Sequence, residues 1–274
     1  MSEPLPNVQL VALQRCVLHE SVDPQRVTRL AAALRRDDLL RNPPIVAPLP
    51  GRDELVVLDG ATRTTALREL GYGAVAAQIV RYADPRIELH SWVHVLHGIS
   101  AAALTRGLRS IAGLTLRPIE TELALRDARS HAAAGALLTA AGAAWALCCD
   151  GALVDEARIL NAMFAWYARQ ATVQRLPHDE HFGLASLPAD SVAVIFPRYS
   201  KSELLELAAA GAVLPGGITR HIIPGRALRV NVPLQPLREG SFALQQRWFA
   251  AWFAERIAGG HARLYTEPTW LFDE

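Results

Sequence analysis

Apolar positions along this chain recur with two periods, and their alternation predicts an α/β protein. Residues 8–18, Val-Gln-Leu-Val-Ala-Leu-Gln-Arg-Cys-Val-Leu, alternate well enough for an opening strand or two. Asp23-Pro24 then supplies an N-cap and a first-turn proline. Val27, Leu30, Ala31 and Leu34 fall on one face of the helix it starts. Arg41-Asn42-Pro43-Pro44 breaks that helix before a short strand at 45–47. A turn at Arg52-Asp53 leads to strand 55–58, a helix closed by Gly71, and strand 74–80. Strand and helix thus alternate over 80 residues as one α/β unit.

Beyond it, 87–96 reads as a strand with Leu89, Ser91, Val93 and Val95 opposed to His90, Trp92 and His94. A helix is expected near 101–111. Residues 136–138 and 144–147 flank Ala140-Ala-Gly142 and fit a hairpin better than one long helix. Residues 154–169 carry an amphipathic helix. Strand 191–196, helix 202–209 and strand 228–232 form a second α/β unit. A final helix at 245–257 places Trp248, Phe249, Trp252 and Phe253 at core or interface spacing.

Composition narrows the class. Half of the 274 residues are apolar, yet no run is long enough to span a membrane. The start Met1-Ser-Glu-Pro-Leu-Pro lacks the basic and apolar parts of a signal peptide, so a cytoplasmic protein without a membrane partner is expected. Three cysteines, with Cys148 and Cys149 adjacent, fit neither a disulfide framework nor a metal spacing. Net charge is +1, which argues against a strongly electrostatic nucleic-acid binder. Lys201 is the single lysine, a bias that genome composition explains as readily as phosphate chemistry does.

Three places could carry chemistry. In Val56-Val-Leu-Asp59-Gly60-Ala61-Thr62-Arg63, a strand ends at a glycine corner and a helix begins. The helix's free N–H groups and the Arg63 fork suit a phosphate, and Asp59 suits a hydroxyl or a hydrated magnesium ion. An ordinary strand-to-helix turn with a surface arginine would look the same. Glu20, closing Val17-Leu18-His19-Glu20, is placed to act as a base, although a surface acid is the simpler reading. Leu214-Pro-Gly-Gly-Ile-Thr219-Arg220-His221 presents three donors in a row after a glycine turn, where a plain loop is again the alternative. His90, His94 and His97 are closely spaced, but no carboxylate or cysteine completes a metal set, so no metal ligands are assigned.

Together these segments resemble one family over nearly the whole length. The first 80 residues resemble the ParB/sulfiredoxin nucleotide-binding domain, with Asp59-Gly-Ala-Thr-Arg63 in the place of its Gly-x-x-Arg phosphate loop. Leu18-His19-Glu20, Asn42-Pro43, the Trp92 strand and Thr219-Arg220-His221 resemble the free L-serine kinases on this fold. Leu10-Val-Ala-Leu, Pro215-Gly-Gly-Ile-Thr-Arg and Tyr265-Thr266-Glu267 bring the chain nearest to the family's staphyloferrin B branch, in which a ParB-like regulator also makes O-phospho-L-serine.

The resemblance implies a ParB/sulfiredoxin-like domain over 1–98 and a second, smaller α/β domain over 99–274. It implies a kinase that transfers phosphate from ATP or ADP, with Mg²⁺, to free L-serine, feeding siderophore synthesis. Glu20 and Asp59 would be catalytic, and Gly60, Ala61, Thr62 and Arg63 would hold the phosphates. Trp92, Thr219, Arg220 and His221 would hold serine. The chain departs from the pattern at Thr62, where the family commonly has histidine, and at Gly217, where archaeal members carry lysine. These departures point to an activity that is weak, altered in donor, or lost in favour of regulation. A ParB-like ligand-sensing regulator that binds DNA without turnover is the alternative, and a homodimer is compatible with both. A chromosome-partition protein is disfavoured, because its Gly-Glu-Arg-Arg loop and central helix-turn-helix are missing.

Overall fold

The computed structural model describes residues 5–177 and 182–264. β1 (Val8–Ala12), β2 (Cys16–Leu18), α1 (Pro24–Asp37), β3 (Leu39–Leu40), β4 (Ile45–Pro48), β5 (Leu55–Asp59), α2 (Ala61–Glu69) and β6 (Ala74–Ile79) follow the alternation read from the sequence. Asp23 caps α1 by accepting from the Gln25 amide at 2.8 Å, with Pro24 in the first turn. The strands order as β1-β6-β4-β5-β2. One face of this sheet packs against α1, α2 and later α7, around Val27, Leu34, Val57, Leu67 and Phe249. The other packs Ile45, Ala47, Val56 and Leu58 against the second unit. Because β5 is covered on both faces, Leu55–Leu58 is an unbroken apolar run rather than an alternating one.

The second unit comprises β7 (Glu88–His97), α3 (Ala101–Leu108), β8 (Leu114–Pro118), α4 (Thr121–Arg129), β9 (Gly135–Thr139), β10 (Ala144–Cys149), α5 (Leu153–Tyr167), β11 (Thr172–Pro177), β12 (Val192–Ile195), α6 (Lys201–Ala209) and β13 (Thr219–Ile222). Its strands order as β11-β7-β12-β9-β10-β8, and β13 also pairs with β7. The expected hairpin is present, with Ala144 opposite Leu138 and Leu147 opposite Gly135. This sheet is the larger of the two, where a smaller second unit was expected; its β8 and β11, with α4, carry no clear period in the sequence.

Two expectations are corrected. β7 runs in the second sheet although it precedes residue 98, and the chain beyond β13 returns to the first sheet. There β14 (Val232–Pro233) pairs with β3, and α7 (Phe242–Ala258) packs on β1. A cut at 98 therefore does not follow the packing. The strand expected at 228–232 shrinks to β14, because Arg229 and Asn231 adopt φ of 51° and 57°. Such left-handed residues interrupt an extended strand. Among the described residues, no helix is long and apolar enough to cross a membrane. The closing Tyr265-Thr266-Glu267 lies outside the described residues.

Candidate active site

β2 and β5 run parallel, with Cys16, Val17 and Leu18 opposite Leu55, Val56 and Val57. Continuing that register by two residues brings Glu20 level with Asp59, on strands about 4.8 Å apart. The carboxyl edge of such strands is where ligands bind in open α/β sheets. His19 is buried between them. Its Nδ1 lies 2.6 Å from the Val57 carbonyl and its Nε2 lies 2.9 Å from Thr219 Oγ1.

Glu20 sits on the seam between the two units. Ser21 N donates to Leu214 O at 2.8 Å, Leu214 N donates to His19 O at 2.8 Å, and Gly216 N donates to Ser21 Oγ at 3.0 Å. A Cβ at Gly216 would come within 2.4 Å of the Ser21 carbonyl oxygen, so glycine permits the approach. The Glu20 carboxylate is then held from three directions. Oε1 accepts from Thr219 N at 2.7 Å and from Thr219 Oγ1 at 2.6 Å, while Oε2 accepts from Gly217 N at 2.9 Å. Both in-plane lone pairs of Oε1 are engaged and one on Oε2 is left over. Any further hydroxyl must therefore be received by Oε2.

At the end of β5, Gly60 has φ of 96° and is the N-cap of α2. A Cβ there would also press on Pro44 at 2.9 Å, so the corner is closed against the Asn42-Pro43-Pro44 turn. Leu67, fully buried, anchors α2 to the sheet, and its burial contributes about 2 kcal/mol. The first amides of α2, at Ala61, Thr62 and Arg63, are left facing the corner. The Thr62 hydroxyl has no hydrogen-bond partner among the described residues, whereas Thr64 and Thr65 bond back to Gly60 O and Ala61 O. Arg63 Nη2 donates to Asp59 Oδ2 at 2.9 Å, and its Nε is buried without a partner. An orphaned guanidinium N–H at a helix N-terminus fits a phosphate oxygen.

Thr219, Arg220 and His221 do not converge as three donors. They form β13, so their side chains alternate between faces. Thr219 turns to Glu20. Arg220 lies on the other face, with its guanidinium 5.1 Å from the centre of the Trp92 ring. No hydrogen bond or ion pair to it is seen among the described residues. His221, expected to bind substrate, is engaged within the protein. Burial, with the neighbouring His19, holds its imidazole well below the usual range, and its Nε2 lies 2.8 Å from Tyr82 OH. It fastens β13 to Tyr82.

The three β7 histidines also separate. His90 pairs with Glu88 at 2.6 Å and His97 with Gln174 at 3.0 Å. His94 is fully buried, accepts from Tyr167 OH at 2.6 Å, and donates from Nε2 to Gly217 O at 3.0 Å. Burial lowers its pKa to about 4. His94 therefore stays neutral in the fold while the unfolded chain takes up a proton below its ordinary value near 6.5. The neutral imidazole contributes stability above pH 6.5, on the order of 3 kcal/mol, which is lost as pH falls toward 4. Thermal melts across that range should drop more steeply for the wild type than for His94→Gln, which keeps the donor to Gly217 but cannot titrate. Equal slopes would remove His94 from this account.

Two further cations reach the site through residues that carried no local signal. Arg175 of β11 donates to Gly216 O at 3.1 Å, and its Nε lies 2.5 Å from where a Cβ on Gly217 would stand. The space beside Gly217 is thus taken by a guanidinium from another strand. Arg226 donates to Asp59 Oδ2 at 2.6 Å.

No family model matches the chain. It is 24% identical to the ATP-dependent L-serine kinase SbnI of Staphylococcus aureus, over 98% of both chains. It is 25% identical to an ATP-dependent L-serine kinase of Staphylothermus marinus, over 84% of this chain and 90% of that protein. Among solved structures, C-terminally truncated SbnI from Staphylococcus aureus superposes with a TM-score of 0.74, at 21% identity, over 92% of this chain and 97% of that one. A free serine kinase in complex with AMP gives 0.71, at 21% identity, over 85% and 95%. By sequence along nearly its full length and by its mixed α/β, ParB/sulfiredoxin-like fold, the chain is a relative of the free L-serine kinases.

Proposed function

We propose that this protein phosphorylates free L-serine to O-phospho-L-serine, with ATP or ADP as donor. The observation that carries the reading is the pairing of Glu20, held by three donors with one Oε2 lone pair open, with a phosphate-shaped corner on the adjacent strand end. Serine Oγ–H donates to Glu20 Oε2. As Oγ bonds to the transferred phosphorus, the bond to the leaving phosphate oxygen breaks and the hydroxyl proton passes to Glu20. Gly60, Ala61, Thr62 and Arg63 hold the phosphates, and Trp92, Thr219 and Arg220 line the serine side. Arg175, close to Gly217, adds positive charge where the substrate carboxylate would lie. His221 acts by holding β13.

Mg²⁺ binds such sites through one or two carboxylates together with substrate phosphates. Asp59 Oδ1, unlike Oδ2, has no bond to either arginine, so Asp59 fits as its protein ligand. When bound, the ion would neutralise phosphate charge. Full-length likeness to SbnI favours the siderophore branch as the pathway. A DNA-binding regulator without turnover draws no support from relatives named as kinases.

The test is serine-dependent consumption of ATP or ADP, with O-phosphoserine measured directly. Thr62→His refines it. An imidazole at the second position of α2 adds a donor to the transferring phosphate, so kcat should rise several-fold with little change in serine KM. A wild type that binds nucleotide but forms no product, without rescue by Thr62→His, would overturn the kinase reading.

A further inference from the structure

Arg226 belongs to no motif, yet it is aimed at the phosphate corner from 167 residues away. Its position is built. The side chain of Gln78, in β6, is buried and bonds to both neighbours of Arg226. Nε2 donates to Gly225 O at 2.9 Å and Oε1 accepts from Ala227 N at 2.8 Å. A buried primary amide whose two ends pin residues 225 and 227 fixes the backbone that carries Arg226. Gly225 takes φ of 62° to make that turn.

The charge arrangement at the corner calls for an anion. Arg63 and Arg226 both donate to the same oxygen of Asp59, at 2.9 and 2.6 Å. The positive end of α2 faces them. Two guanidinium groups and a helix N-terminus meet a single carboxylate, so the corner holds surplus positive charge and spare donors, including the orphaned Arg63 Nε. Neither arginine meets Asp59 in a bidentate fork, so each keeps N–H groups for a second acceptor.

Resting on the nucleotide site proposed above, we infer that Arg226 is a second polyphosphate-binding residue and Gln78 its positioning residue. Asp59 holds both forks in readiness, and the phosphate chain receives them when nucleotide binds. The segment after β13 thereby closes over the first unit's phosphate loop.

The experiment is titration of the full chain and its variants with ATP, ADP and adenosine, alongside nucleotide and serine KM. Arg226→Ala should weaken ATP and ADP by about tenfold or more, the loss expected for a charge-assisted bond. Adenosine affinity and serine KM should stay within about twofold of wild type. Gln78→Leu should weaken the same two nucleotides by a smaller factor, and Arg226→Lys should restore part of the loss. Arg226→Gln, which keeps a donor to Asp59, replaces the alanine variant if that variant does not fold. Arg63→Ala is the reference. If Arg63→Ala is selective for phosphates and Arg226→Ala equals wild type, the inference about Arg226 is overturned and the site stands. If neither variant changes nucleotide binding, the phosphate corner itself is overturned. Equal loss for adenosine would assign Arg226 a structural role instead.

Discussion

Glu20→Gln reduces phosphoryl transfer to serine by about 10²–10⁴-fold while nucleotide affinity stays near wild type. The substitution is isosteric, so Oε1 keeps an acceptor for the amide and hydroxyl of Thr219. What changes is Oε2, the atom left with an open lone pair. If glutamine places its amide there, it faces the Gly217 N–H and offers serine a donor instead of an acceptor. The effect belongs to kcat, because the proton is taken only as the new bond forms. Steady-state assays with both nucleotides, together with nucleotide titration, separate the two quantities. Turnover near the wild-type rate would remove Glu20 from the mechanism.

Arg63→Ala weakens ATP and ADP by about 30-fold, equivalent to about 2 kcal/mol for a charge-assisted bond in a partly buried setting. Adenosine should bind almost unchanged, since it lacks the phosphates that Arg63 is proposed to hold. Asp59 retains Arg226 as a partner, so the variant does not strand a carboxylate. Equal weakening of all three ligands would indicate a folding defect. Unchanged affinity would place the nucleotide elsewhere.

The parts of this site that sequence makes legible are the parts that are local. Asp59, Gly60 and Arg63 lie within five consecutive residues, and the periodicity around them marks a strand end and a helix start. The free N–H groups follow from that geometry alone. Glu20 could be marked as functional only through resemblance. Its three donors come from residues 217 and 219, across a seam that no pattern announces. Thr219-Arg220-His221 shows the opposite failure. Adjacent donors suggest convergence, but the segment forms a strand, so alternation sends Arg220 to the Trp92 face. The run at 228–232 has strand-like composition, yet two left-handed residues break it. Arg226, Gln78 and Arg175 are ordinary residues in ordinary stretches. Their placement depends on contacts 41 to 167 residues apart, which neither helix nor strand period encodes.

The central claim is that Glu20 and the Asp59–Arg63 corner act together on serine and a nucleotide. The most direct measurement is ³¹P NMR of the purified protein with L-serine, Mg²⁺ and either ATP or ADP. The account predicts an O-phosphoserine resonance that grows with loss of the donor's terminal phosphate. It also predicts no growth without serine or with Glu20→Gln. Donor hydrolysis to inorganic phosphate without phosphoserine, or a phosphoserine signal unchanged in Glu20→Gln, would contradict it.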